Sequence, residues 1–361
     1  MKRVKIFAFG GNEVSPTGIK DEKTGKVINP DIAMQWRRTK KTCEFVADII
    51  KSHPEDAYII THGNGPQVGN VLLRAEYSRP ILPSLPLDVC GADTQGAMGY
   101  MMGQLLTNEL KLRGINKIAA ETVTQVLVDA DDPDFTNPSK FIGQSYTKDE
   151  AARRKEQNGW DIKLYKRDGA GNEIWRRVVP SPVPKTIIEI NVIEKNMEGG
   201  IIPICVGGGG VPVVEIKQEN GVYNSNYGIS YYHSEDDVKL LKGVEAVIDK
   251  DLASALLGKL LLEKAKDRGE EIEISLTIFT GEDGAKLNYQ KPNQADLRKL
   301  SLAELEKIYL SVPCPFPAGS MGPKIKAIIE FLRFGGNIAY IAKTDLFEET
   351  LKGEAGTTVI K

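Results

Sequence analysis

The sequence predicts an α/β protein built on a largely parallel sheet with helices on both faces. Short β-branched or aromatic runs alternate along the chain with stretches of helical periodicity, the pattern of repeated βα units. Several of those runs stop at glycine-rich turns, at residues 10–12, 62–69, 207–210 and 281–284. In open parallel sheets ligands bind beyond the carboxyl ends of strands, so these turns are expected to converge on one site.

Composition bounds the answer further. At 361 residues the chain suits one large α/β domain or two lobes. A hydrophobic fraction of 41 % is ordinary for a globular chain, and a net charge of −2 leaves no electrostatic footprint for nucleic acid or an anionic membrane. No stretch reaches the apolar length of a membrane span, and the start lacks a signal-peptide core, so a reducing cytoplasm is the expected setting. The four cysteines, at 43, 90, 205 and 314, fit no zinc or disulfide spacing. Cys90 and Cys205 read as buried free thiols.

Taken in order, Val4 to Phe9 is a strand ending at Gly10-Gly11-Asn12. Free backbone N–H groups there could face an anion, although Gly-Gly alone equally suits a plain tight turn. Residues 13–31 are polar and turn-rich, and 32–52 have helical spacing of Ala33, Trp36, Cys43, Val46, Ala47 and Ile50. Ala57 to Ile60 is a strand leading into Thr61-His62-Gly63-Asn64-Gly65, followed by a helix from about Val68 to Arg79. His62 is as well explained by holding that loop as by catalysis. Asp93-Thr94 suits a helix start, with Met98, Met101, Met102, Leu105, Leu106 and Leu110 as an apolar face read as core.

Thr122 to Val128 is a strand, after which residues 129–186 turn polar, aromatic and proline-rich. That change breaks the βα rhythm and predicts an inserted subdomain or lid. It carries Lys140, by itself an ordinary surface charge, and the pair Arg176-Arg177. Ile201 to Val206 is a buried strand that stops at Gly207-Gly208-Gly209-Gly210, where backbone must come very close to something. Residues 216–242 are tyrosine-rich and read as a loop or hairpin.

A strand-like run over 243–248 delivers Asp249-Lys250-Asp251 into a helix over 252–267. A lysine between carboxylates at a strand-to-helix junction, beside glycine loops, suits phosphate chemistry. Then come a strand over 273–279, a turn at 281–284, and an amphipathic helix over 297–309 with Ser301 and Glu304 at capping-box spacing. Pro317 to Lys324 opens a further helix to about Arg333, and 338–342 is a strand. No Walker A motif and no G-x-G-x-x-G after a strand is present. Phosphoryl transfer remains the economical chemistry, with backbone amides and Lys250 and Lys324 arranged around phosphate oxygens and Asp251 orienting them. An anionic nucleophile would need no general base.

At Thr61 to Gly69, Asp88 to Tyr100, Gly207 to Pro212, Ile248 to Ala253 and Gly319 to Lys324, the chain resembles the carbamate kinases of the amino acid kinase family. Gly10-Gly11-Asn12, Trp175 to Pro182 and Gly353 to Thr357 extend the resemblance over nearly the whole length, in the family's order. It implies a three-layer α/β/α sandwich in two lobes, residues 1–215 and 216–361, with 129–186 protruding as a lid. The implied reaction is ATP + carbamate ⇌ ADP + carbamoyl phosphate, with ATP/ADP and Mg²⁺, run catabolically to make ATP, usually in homodimers without nucleic-acid or membrane partners.

By the same resemblance, Gly10, Gly11, Asn12, Gly63, Asn64 and Gly65 would hold carbamate and the transferring phosphoryl. Gly207, Gly208 and Gly209 would approach the substrates through backbone, and Lys140 would reach in from the lid. Lys250, Asp283, Met321, Gly322 and Lys324 would meet the nucleotide, with Lys250 and Lys324 neutralising phosphate and Asp251 organising them. Two departures bear on the acceptor. Glu13 stands where the family usually has alanine, and Gly281-Glu282-Asp283 replaces an Asp-Val-Asp-like turn. They motivate a second reading, the same chemistry on another small carboxylate or carbamoyl-type acid. A third, a non-catalytic nucleotide-binding regulator, is disfavoured by retention of Lys140, Lys250, Asp251 and Lys324 together.

Overall fold

In the computed structural model, which describes residues 2–16, 19, 25, 30–234, 238–317 and 319–361, an eight-stranded sheet forms the middle layer. Its spatial order is Lys299–Ser301, Thr357–Ile360, Ile338–Ala342, Ile272–Phe279, Lys2–Phe9, Ala57–His62, Ile202–Cys205 and Ala119–Thr122. The six strands from Ile338–Ala342 to Ala119–Thr122 are mutually parallel. Thr357–Ile360 runs antiparallel to Ile338–Ala342 and carries Lys299–Ser301 parallel to itself at the edge.

Side-chain alternation along the central strand explains the layers. Val4, Ile6 and Ala8 enter a core with Leu257 and Leu261 of helix Lys250–Asp267 and Ile328 and Leu332 of helix Met321–Arg333. Phe7 and Phe9 point the other way, to Val46 and Ile50 of helix Ile32–Ser52 and to Met98 and Met102 of helix Leu87–Leu112. Phe9 stacks on Phe279 at 4.7 Å, and Phe7, Phe45 and Phe347 meet the Phe279 ring edge-on. The methionine stripe is core, as its spacing suggested. The fold is the three-layer α/β/α arrangement. Cys43, Cys90 and Cys205 are buried free thiols and Cys314 is an exposed one.

Five element readings change. The run over 243–248 is not a strand. Only Leu241–Gly243 pairs, with Val213–Glu215, and beyond it the chain is held by single bonds, Val244 N–H to Pro212 and Val247 N–H to Pro180. Burial of Ala246 and Ile248 accounts for its apolar composition without a ladder. The run over 122–128 is two strands, Ala119–Thr122 in the main sheet and Gln125–Val128 in a four-stranded sheet, broken where Thr124 N–H donates to Gln95. The helix placed at Asp93 starts at Leu87. Its glycines mimic a turn signal, but Gly99 and Gly103 let the helix lie against Glu121 and the Ala119 carbonyl, where a Cβ would stand 2.3 and 3.1 Å away. The helix over 297–309 begins only after Ser301, at its capping box with Glu304, because 295–297 and 299–301 pair as strands. Gly11–Val14 forms one helical turn where a strand-to-loop junction running into an extended loop was expected.

The insertion folds as an antiparallel sheet of Lys140–Tyr146, Glu173–Val179 and Ile162–Arg167, with helix Lys148–Asn158 capped by the Thr147/Glu150 box. Pro184–Ile187 belongs to the four-stranded sheet, beside Gln125–Val128. The tyrosine-rich stretch is a small antiparallel meander of 218–219, 222–224 and 230–232. Among the described residues no helix is long and apolar enough to cross a membrane.

Candidate active site

A cleft of about 690 Å³ opens at the carboxyl ends of the central strands. Gly11, Gly63, Gly208 and Thr280-Gly281 enter it from four of those strands, and Lys140 to Gln144 enter from the insertion. Three helices begin there, at Gly65, Lys250 and Met321. The first N–H groups of a helix have no intrahelical partner and carry partial positive charge. Asp249 caps the helix at Lys250, accepting from Asp251 N at 2.9 Å and Leu252 N at 3.3 Å. Neither Asn64 nor Ser320 caps its own helix through a side chain. Pro66 and Pro323 carry no N–H and Gly322 N–H is bound to Pro317 O, so among the described residues those termini leave the N–H groups of Gly65, Gln67 and Met321 for an anion.

The charged centre is compact. Asp251 is wholly buried, and its two carboxylate oxygens are divided between lysines. Oδ2 accepts from Lys324 Nζ at 2.7 Å, and Oδ1 accepts from Lys250 Nζ. Burial works against the Asp251 charge, but the two ammonium groups outweigh it and hold the acid far below the usual carboxylate range. Burial also works against the Lys324 charge. Asp251 prevails, with Asp249 and Glu13 adding, so this ammonium stays protonated above its ordinary value. Lys250 goes the other way. Burial lowers it, the neighbouring Lys324 lowers it further, and the attraction of Asp251 only partly compensates. Lys140 Nζ reaches Asp249 Oδ2 at 3.3 Å across the cleft, tying the insertion to the cap of that helix.

The glycines explain the close approach. A Cβ on Gly63 would touch Gly11 N at 3.4 Å and the Lys250 stem at 3.5 Å. One on Gly208, at φ +65°, would overlap the Asn64 side chain at 2.3 Å, and one on Gly209 would lie 2.4 Å from the Ile248 carbonyl. Val206, a β-branched residue, is driven to φ +54° to enter this tract, a conformation worth on the order of 1–3 kcal/mol of strain. Thr124 stabilises it by accepting from Val206 N at 2.9 Å. His62 lies beneath the tract, fully buried and 2.8 Å from where a Gly207 Cβ would stand. Burial pulls its pKa down to about 4, so it is a neutral packing and loop-holding group.

Of the residues picked out from the sequence, Gly11, Gly63, Asn64, Gly65, Lys140, Gly208, Lys250, Asp251 and Lys324 all line the cleft. Gly207 and Gly209 stand behind Gly208, and the N–H of Gly209 is spent on Val206 O. Gly10 sits at the foot of the Gly11 turn, against the Glu13 carboxylate. The Asn12 side chain lies outside the described residues. Asp283, Met321 and Gly322 are not in the lining. The Asp283 carboxylate accepts from Arg298 at 2.9 Å and Gly356 N at 2.6 Å, which ties two loops together. Met321 packs on the core, and Gly322 is buried against the Pro317 carbonyl.

The cleft also contains Asp249, Arg176 and Glu13. Asp249 was legible as an aspartate just before a helix, the N-cap pattern. Arg176, which donates to the Gly143 carbonyl at 2.9 Å, had no local signal beyond its place in an arginine pair. The arrangement offers ammonium groups, uncapped helix termini and a glycine floor to a multiply charged anion. That is equipment for phosphoryl transfer.

No protein-family model matches the chain. Over 363 residues it is 41 % identical to the carbamate kinase of Thermococcus kodakarensis, covering 100 % of both chains. It is 40 % identical to the carbamate kinase of Pyrococcus horikoshii, over 98 % of each. Among solved structures, carbamate kinase from Giardia lamblia bound to AMP-PNP superposes with a TM-score of 0.78 at 34 % identity, covering 100 % of this chain and 99 % of that one.

Proposed function

The chain belongs to the carbamate kinase family, and on that premise we propose how its own residues carry the reaction ATP + carbamate ⇌ ADP + carbamoyl phosphate. It is a phosphotransferase, and the observation that carries the site reading is the sharing of one buried carboxylate by two cleft lysines. Two like charges held apart by Asp251 form a fixed pair of cations. An anionic transition state gains from such a pair without reorganising it. An oxygen of carbamate attacks the γ-phosphorus, the bond from that phosphorus to the bridging oxygen breaks, and ADP leaves carrying the electron pair. The nucleophile is already an anion, so no side chain has to remove a proton.

In this reading the uncapped helix termini at Gly65 and Met321 receive phosphoryl oxygens. Lys250, whose ammonium is disfavoured by burial, is held in its charged form more firmly by the incoming phosphate charge. Lys140 swings from Asp249 to the bound anion. Asn64, held by Thr94 at 2.8 Å and by contact with Gly208, orients the acceptor. Mg²⁺ fits a site of this kind. Asp251 has both oxygens taken by lysines, which leaves the Glu13 carboxylate and, once Lys140 has moved to the anion, Oδ2 of Asp249, whose Oδ1 stays on the helix cap. They would hold the ion beside phosphate oxygens and water, the usual mode for Mg²⁺. When bound, the ion neutralises phosphate charge. The grouping His53–Glu55–Asp56 precedes strand Ala57–His62, at the opposite end of the sheet, and Asp56 is already paired with Arg3 and Lys5.

A cytoplasmic homodimer run toward ATP completes the proposal. Tyr100, Leu112, Ile118 and Val123 are exposed apolar side chains around the open sheet edge at Ala119–Thr122, a surface suited to self-association. The deciding assay is ATP formation from ADP, Mg²⁺ and carbamoyl phosphate, with Lys250→Ala as comparison. We expect robust synthesis by the wild type and a loss of at least about a hundredfold in the variant. Background synthesis by folded wild-type protein would end the reading. Equal rates would remove Lys250 from it.

A further inference from the structure

We propose that a second cavity, at the root of the inserted subdomain, is a binding site for a small zwitterion with the chemistry of a free α-amino acid. It holds about 270 Å³ and lies outside the catalytic cleft. Strand Glu173–Val179 divides the two: Arg176 faces the cleft and its neighbour Arg177 faces the cavity, as strand alternation requires.

The cavity presents both signs of charge at two depths. Arg177 and Glu76 form its inner part, with side chains 13 % and 15 % exposed, and Glu76 also lies 3.7 Å from Arg154, which is outside the lining. Arg79 and Glu245 stand at its mouth, and Arg79 has no ion-pair partner among the described residues. Arg177 donates to Glu245 at 3.0 Å and covers the Trp160 ring at 4.7 Å. On the same wall, Asn158 donates to Glu76 at 3.4 Å and leaves its Oδ1 buried without a partner. A simple anion would meet the carboxylates and a simple cation the arginines. A dipolar molecule satisfies both, with its carboxylate on Arg79 and its ammonium on the Glu76 and Glu245 side.

Both walls lead to the catalytic centre. In the strand ladder Ile142 stands opposite Arg177 and Lys140 opposite Val179. Glu245 lies in the irregular segment that ends at Asp249, and Val247 N–H of that segment is bound to Pro180 O at 3.0 Å. Each member of the Lys140–Asp249 pair is thus reached from one wall of this cavity. Occupancy shifts that pair and hence turnover. This coupling rests on the catalytic reading above, whereas binding does not.

The experiment is calorimetric titration of the full-length protein with each common free amino acid at millimolar concentration, with and without AMP-PNP. The expected result is one class of amino acid binding at a single site whether or not AMP-PNP is present. Arg79→Ala, an exposed position whose variant should melt like wild type, is expected to weaken it at least about tenfold. Glu76→Gln is expected to weaken it as well. No binding, binding abolished by AMP-PNP, or binding indifferent to both variants would each overturn the site and leave a water-filled crevice. With the ligand bound, kcat is expected to change by at least about twofold, and an unchanged kcat would overturn the coupling. Because binding is read without turnover, its failure is distinguishable from failure of the kinase reading.

Discussion

Replacing Asp251 by Asn keeps the shape of the charged centre and deletes the carboxylate that both lysines contact. Lys324 Nζ lies 2.7 Å from one oxygen, and Lys250 Nζ contacts the other. At an effective dielectric near 20, a unit pair at that separation attracts by about 6 kcal/mol before desolvation is counted. Removing one partner of a buried pair costs about 3–5 kcal/mol, and here two ammonium groups are left facing each other. The sign of the pH effect follows from Lys250. Burial and Lys324 already lower its pKa, and Asp251 is the main opposing influence. Without that carboxylate the ammonium deprotonates at still lower pH. The alkaline limb of the kcat profile for ATP synthesis should therefore move down by at least about one pH unit, which needs only about 1.4 kcal/mol of the lost attraction. Denaturant unfolding of the same variant should show the stability loss. A limb at the wild-type pH, with stability within about 1 kcal/mol of wild type, would refute the claim that Asp251 holds the lysine pair in its working state.

Lys140→Ala should separate function from stability, because the side chain is 44 % exposed and its pair with Asp249 spans 3.3 Å. Unfolding should change by no more than about 0.5 kcal/mol, while turnover falls at least about tenfold. Gly208→Ala would place a Cβ 2.3 Å from the Asn64 side chain at φ +65°, so a loss above about 1 kcal/mol is expected together with a raised KM for carbamoyl phosphate. Glu121, whose carboxylate oxygens are buried without partners, has its pKa raised by burial to about 8. Its native form keeps the proton, so its contribution is complete below the unfolded value of 4.5 and is lost as pH rises through 8. Glu121→Gln should flatten the fall in melting temperature over that window, and parallel wild-type and variant curves would contradict the assignment.

The alternation of elements, the glycine turns at strand ends, the lysine between two aspartates at a helix start and the place of the insertion are legible in the amino-acid letters alone. These are local matters. Periodicity, the Ser301/Glu304 cap and glycine's tolerance of positive φ act within a few residues and leave their mark in neighbouring letters. Where burial competes with local preference the letters mislead. Residues 243–248 have strand composition because Ala246 and Ile248 are buried, and the glycines of helix Leu87–Leu112 signal close packing instead of a turn. The company each charge keeps is set by the folded chain. Lys324 meets Asp251 across 73 residues and Lys140 meets Asp249 across 109. Asp283, by contrast, is drawn to Arg298 and Gly356, away from the cleft. Such pairings depend on strand order, which places Lys2–Phe9 between strands that begin at Ala57 and Ile272. That order is set by the summed burial of two helical layers, a property of the whole chain that no single motif contains.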